Sequence, residues 1–202
     1  MITMGRSKTT AGNHAGSFLF RATVAAGVLL AGMTQAGLPA EPVVPAGVQA
    51  ALTLRILEYD RALKSWAGTG LTVGIVAKES AAGDAAEFKQ AISGRDVQSI
   101  PIKVVEHSYR DGEGTSRWAE RSGVRFLYVG ADLGGDTAAV LSAAQARKLP
   151  TVTLSRAQFQ AGGTLGIVVK DGKPHILVNL PAARSAGMDL DPKLLQLSEV
   201  VR

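Results

Sequence analysis

The chain has 202 residues, 46% of them hydrophobic and 19% charged, a make-up that suits one domain with a sizeable core and excludes a disordered chain. Aromatics reach only 5%, so Val, Leu, Ile and Ala must build that core, and the absence of cysteine excludes disulfides, thiolate metal sites and cysteine nucleophiles. The formal charge of +5 falls to +2 once the leader is set aside, and no basic run interleaved with aromatics offers a nucleic-acid footprint.

The leader accounts for that difference. Arg6, Lys8 and Arg21 precede the first acid, Glu41, and removing these three from 22 basic residues leaves 19 against 17 acidic ones. Basic residues, then the apolar run Ala22–Met33, then small residues at Thr34 and Ala36 form the pattern of a signal peptide over residues 1–36. Cleavage near Ala40 is the alternative, and Met4 is an alternative start. The uninterrupted apolar run is 12 residues long, short of the roughly 20 that span a bilayer, so an uncleaved anchor is the lesser reading. Lipoprotein anchoring needs a cysteine and is excluded. Residues 37–47, with Pro39, Pro42 and Pro45, read as an extended tether, and the domain is placed at 48–202.

Within the domain, Leu52, Ile56, Tyr59, Leu63 and Trp66 recur every three or four residues, which predicts one helix over Gln49–Trp66 ended by Gly68 and Gly70. Leu71–Ala77 reads as a buried strand, Ala85–Ile92 as a helix and Ile100–Glu106 as a strand with Pro101 near its start. His107–Gly114 reads as a polar loop, after which Thr115 or Ser116 caps a short helix through Trp118 to Arg121. Val124–Val129 is the third strand, and Asp136-Thr137 opens a helix closed by Arg147-Lys148 and Pro150. Thr151–Leu154 is a strand, and Ser155 caps a helical turn holding Phe159.

Thr164–Lys170 and Lys173–Leu180 flank Asp171-Gly172, a strong hairpin signal. Pro181–Ala186 and Asp191–Val200 read as helices, the latter with Asp191 as N-cap and Pro192 at its first position. The alternation predicts an α/β fold: a mainly parallel sheet with helices on both faces and a C-terminal antiparallel β-hairpin.

Little in this chain reads as chemistry. His107 sits beside Glu106, Tyr109, Arg110 and Asp111, but acids adjacent in sequence are no triad, and it stands as a weak candidate for an acid–base or ligand role. His175 reads as a packed or sheet-surface residue, and the two histidines lack the spacing of a zinc site. Gly134-Gly135 lies between a strand and a helix, where backbone amides can hold an anion, yet fits neither a dinucleotide fingerprint nor a P-loop, and turn geometry explains it adequately. A ligand cradle at the strand ends would draw on Gly130, Asp132 and Gly135. Glu58, Asp60, Arg61 and Lys64 lie on the polar side of the first helix. A protein acting through its surface would use Arg55, Tyr59 and Arg61 there. No cofactor is called for.

Several C-terminal stretches carry a pattern: Arg125–Gly130, Leu149–Ser155, Phe159–Gly163, Gly166–Leu180 with Ala182-Ala183-Arg184 and Gly187, and Leu194–Arg202. Together they resemble the YfiR-like (DUF4154) family, over Val48–Arg202. The resemblance implies a small, non-catalytic α/β protein of the Gram-negative periplasm. It implies a partner too, an inner-membrane protein with a periplasmic domain such as a diguanylate cyclase, and dimers occur in the family. The stretch Leu54–Lys64 stands where the family carries a Phe-rich helix with a Glu-Trp-Pro-like ending, and no cysteine is present for the redox control of the characterised member, marking a divergent branch. The leading expectation is a periplasmic regulatory or accessory protein. A periplasmic small-molecule-binding module is the alternative, and an enzyme would require His107 or His175 to meet a carboxylate or hydroxyl.

Overall fold

Alternate residues of the central strands part the core into two, because successive strand side chains point to opposite faces. In the computed structural model, which describes residues 42–78 and 82–202, Leu71, Val73 and Ile75 of strand β1 (Leu71–Ala77) join one apolar cluster while Val76 joins another. Strand β4 (Phe126–Val129) divides in the same way, Phe126 and Tyr128 against Leu127 and Val129. Burial on both sides explains why these runs are continuously apolar. The signal peptide expected over residues 1–36 lies outside the described residues.

Eight described strands form one sheet in the order β2-β3-β1-β4-β5-β6-β7-β8, with β2 at Asp96–Val97, β3 at Ile100–Ser108, β5 at Thr151–Thr153, β6 at Leu165–Lys170, β7 at Lys173–Asn179 and β8 at Glu199–Val201. β3, β1, β4, β5 and β6 run parallel, β2 pairs antiparallel with β3, and β6 and β7 form the antiparallel hairpin. Asp171 and Gly172 both take positive φ (52° and 71°) in its two-residue turn, as the Asp-Gly signal requires.

The chain moves from β1 outward to β3, then returns past β1 to β4, β5 and β6. Right-handed crossovers therefore put the intervening helices on opposite faces. Helices α1 (Ala46–Glu58) and α3 (Ala82–Ile92) cover one side through Ile56, Leu57, Phe88 and Ile92. Helices α4 (Gly112–Arg121) and α5 (Thr137–Ala146) cover the other through Ala119, Val140, Leu141 and Ala144. Phe159 of α6 (Arg156–Gln160) packs with Val168 and Leu177. The fold is the expected doubly covered, mainly parallel α/β sheet.

Several local expectations change. The helix over Gln49–Trp66 is two helices, α1 and α2 (Leu63–Ala67), split by a turn at Tyr59–Ala62. Asp60 causes the split: rather than lying on the polar face it is fully buried, and its carboxylate accepts the Ala62 and Asp189 amides at 3.0 and 2.9 Å and the Trp66 indole N–H at 2.7 Å. Gln98 then donates to the carbonyls of Leu57, Glu58 and Asp60, closing the helix end.

His107 belongs to β3 and not to a loop. β1 runs alongside as far as Ala77, opposite Ser108, and the Tyr109 amide still donates to Ala77. α4 is capped by Asp111, ahead of both expected caps, because Asp111 accepts the Gly114 amide. Near the C-terminus the expected long helix is short, α8 (Pro192–Gln196), preceded by α7 (Leu180–Ser185). β-branched Val200 and Val201 then pair with β7 in a parallel strand. Asp191 is the N-cap of α8, as expected, accepting the Lys193 amide.

Candidate functional site

Where β1 and β4 lie side by side, their following helices leave to opposite faces, and a crevice opens at the carboxyl ends of the strands. Two hollows lie there. One, of about 320 Å³, is lined by Ala77, Lys78, Ala85, Glu106 and Ser108 at the ends of β1 and β3. The second, of about 380 Å³, lies beyond β4 and β5 and is lined by Gly134, Gly135, Thr137, Ser155 and Gln158.

Gly130 closes β4, its amide donating to Val76, and a Cβ there would sit 2.8 Å from Asp132 Oδ1 and 2.9 Å from Ala77. The small residue lets Asp132 fold back over the strand end. Asp132 Oδ2 accepts the Lys78 amide at 2.7 Å, and its buried Oδ1 has no partner. Lys78 turns its ammonium to Asp136 at 2.7 Å, a pairing that raises its pKa. Of the expected cradle, Gly130 and Asp132 meet at the crevice, while Gly135 lines the second hollow.

The sequence reading missed Gln158. Its amide nitrogen donates to the Gly130 carbonyl at 2.7 Å and its oxygen accepts the Leu154 amide at 3.0 Å, lashing together the ends of β4 and β5. A signal existed: Ser155 and Gln158 have the spacing of a capping box, and Ser155 Oγ does accept the Gln158 amide at 3.1 Å.

His107 is not brought to a nucleophile. Its ring stacks on Trp118 of α4 with centroids 4.8 Å apart, on the face opposite Glu106, which pairs with Lys89 of α3. Burial lowers the His107 pKa, nearby Arg110 and Arg121 acting in the same sense against Asp111. His175 lies on β7, 3.9 Å from Glu199. Among the described residues no group of three or more acidic or histidine side chains is placed to hold a metal ion.

Arg55, Tyr59 and Arg61 share one end of α1. The Arg55 guanidinium lies 5.1 Å over the Tyr59 ring and pairs with Glu58 at 3.1 Å, while Arg61 pairs with Asp189 at 2.7 Å. A further cluster joins Glu199 of β8 to Arg156, at 2.7 Å, and Lys170, at 3.1 Å; hydrogen bonds from these cations lower the Glu199 pKa to about 2. Reading residues 191–200 as a helix hid it.

Strand order and crossovers define a doubly wound α/β domain. The family model for DUF4154, YfiR/HmsC-like, matches residues 46–199, and the chain belongs to that family of periplasmic regulatory proteins. No curated protein matches it. Among solved structures it is similar to the ABC domain in complex with L-Trp from Streptococcus pneumoniae (16% identity, TM-score 0.55). It is also similar to a conserved domain protein from Vibrio cholerae O1 biovar El Tor (13% identity, TM-score 0.58). In both cases the match covers 78% of this chain and 60% of the other, so the chain spans about three fifths of their length, and the likeness is one of fold. Among the described residues no helix is long and apolar enough to cross a membrane.

Proposed function

We propose that the protein is a non-catalytic periplasmic regulator that docks on the periplasmic part of an inner-membrane signalling protein, of the diguanylate cyclase type. Residues 1–36 deliver it. The segment after them is a tether that ends before Val44, not at 47, because Val44 is buried in the core and α1 starts at Ala46; the domain from there to 202 does the work. Family membership supports the regulatory role, and one arrangement supports the surface: Arg55 stacked over Tyr59 at 5.1 Å. Arg and Tyr dominate the binding energy of protein interfaces. Here Arg55 lies in the last turn of α1 and Tyr59 caps it, beside the buried Asp60, so docking orders few side chains anew.

A photo-crosslinking residue in place of Glu58 in the native envelope tests this reading. The wild-type surface gives an adduct with a membrane-anchored protein, and R55A/Y59A loses at least nine tenths of it. Undiminished adduct in the double variant sinks the surface, and the absence of any membrane-protein adduct sinks the function.

The hollows of about 320 and 380 Å³ favour a second reading, a small-molecule-binding module, since ligand sites begin near 300 Å³. A metabolite that raises Tm in the wild type but not in Gly135→Leu would favour it.

A further inference from the structure

We propose that the end of the sheet opposite the crevice carries a binding site for a small oxyanion of the phosphate or sulfate type. Arg125 directly precedes β4, and Arg147 and Lys148 connect α5 to β5. With Ser65 and Trp66 of α2 they line a cavity of about 270 Å³. No carboxylate lines it.

The charges there are not balanced by the protein. Arg147 Nη1 lies 3.2 Å from Glu120 of α4, and its buried Nε has no acceptor. The side chains of Arg125 and Lys148 have no hydrogen-bonding or ionic partner among the described residues. Three cations thus share one ion-paired acid, Glu120, which stands outside the cavity lining, while the Asp60 carboxylate behind the Trp66 wall is held by N–H groups. Like charges drawn together at a partly enclosed surface repel one another, and an anion between them removes that cost.

Basic residues after a helix are commonly explained by its dipole. That account reaches Arg147 and Lys148 but not Arg125, which belongs to a different connection. Nor do the last α5 carbonyls lack donors: Ala144 and Gln145 accept the amides of Arg147, Lys148 and Leu149. Lys148 also holds φ of 55°, a left-handed position at a helix end that glycine fills at less cost, so the turn itself does not ask for lysine.

The walls narrow the class of ligand. Guanidinium forks match tetrahedral oxyanions in a bidentate way, and the Ser65 hydroxyl adds a neutral donor. The Trp66 indole N–H is committed to Asp60, so its ring serves as an apolar wall. A volume of about 270 Å³ holds one such ion with part of its water shell, taking water at roughly 30 Å³. A neighbouring cavity of about 170 Å³ shares Lys148, Leu149 and Ala186, giving room for an organic group carried on the anion.

Titration of the purified chain with sodium phosphate, at ionic strength held constant with chloride, tests the site through the Trp66 indole N–H resonance, assigned with W66F. A saturable shift is expected, with its midpoint weakened at least tenfold in R125Q/K148Q and in K148G, and unchanged in the control K193Q. K148G keeps the turn favourable, so loss of binding there is not loss of fold, and circular dichroism checks both variants. An equal response to chloride alone, or an unchanged midpoint in the folded variants, overturns the proposal. Sedimentation with phosphatidylcholine vesicles, with and without phosphatidylglycerol, separates the sources. Binding to the anionic vesicles that phosphate displaces supports the site with a lipid headgroup as ligand. Phosphate binding without sedimentation supports it with a free oxyanion.

Discussion

Trp66 donates its indole N–H to the buried carboxylate of Asp60 across 2.7 Å, and that single acid joins α1, α2 and the segment before α8. Among the described residues no cation pairs with it; three neutral N–H groups hold it instead.

Asp60→Ala strips acceptors from three N–H groups at once, and leaving buried donors unpaired costs about 1–3 kcal/mol each. The expected loss, measured by urea unfolding, is about 3–5 kcal/mol after local relaxation. Asp60→Asn keeps one acceptor oxygen and should lose about half as much. A loss under about 1 kcal/mol for the alanine variant contradicts the role given to Asp60.

Gly74 of β1 leaves the space that the Trp118 ring fills. A Cβ there would meet Trp118 Cη2 at 2.8 Å and Val124 Cγ1 at 2.9 Å, both closer than van der Waals contact. Gly74→Ala therefore displaces the ring that stacks on His107 and should destabilise by about 1–3 kcal/mol. Adding Trp118→Leu removes the clash with the ring and leaves the one with Val124, so the double variant should still be more stable than the sum of the single changes predicts. Simple additivity would show that the two positions do not collide.

Glu199 sets a pH signature. Hydrogen bonds from Arg156 and Lys170 lower its folded-state pKa from the usual 4.5 to about 2. A depressed carboxylate pKa gives stability that is fully present above 4.5 and fades as the pH falls through about 2. Wild type should therefore exceed Glu199→Gln in Tm at pH 7, with the gap narrowing between pH 4.5 and pH 2. The carboxylate is about a third exposed, so the gap is small and shrinks with added salt. A gap that widens on acidification contradicts the network.

Elements whose side chains answer to one local rule were legible in the sequence. Continuous apolar runs gave β1 and β4, Asp171-Gly172 gave the hairpin, and Ser155 and Asp191 gave two caps. What escaped depends on partners far along the chain. Asp60 looks like a surface acid on a helical wheel, and its set of donors is completed by the Asp189 amide, 129 residues away. Residues 199–201 look like a helix end because the β7 edge that recruits them is invisible locally. His107 reads as a loop residue because the β1 pairing that extends its strand is invisible locally. The candidate site was legible only in part. Glycines marked the strand ends, but nothing in their spacing told that Gln158 reaches Gly130 or that Lys78 reaches Asp136.

The bond between Asp60 and the Asp189 amide also acts as a check on chain length. Synthesis runs from the N-terminus, so the turn after α1 exists long before the residue that completes it. Until Asp189 arrives, the Asp60 carboxylate lacks the third of its N–H donors and keeps water in that place. A chain cut short by a few dozen residues would thus fail at its beginning as well as its end, exposing the underside of α1 to proteases.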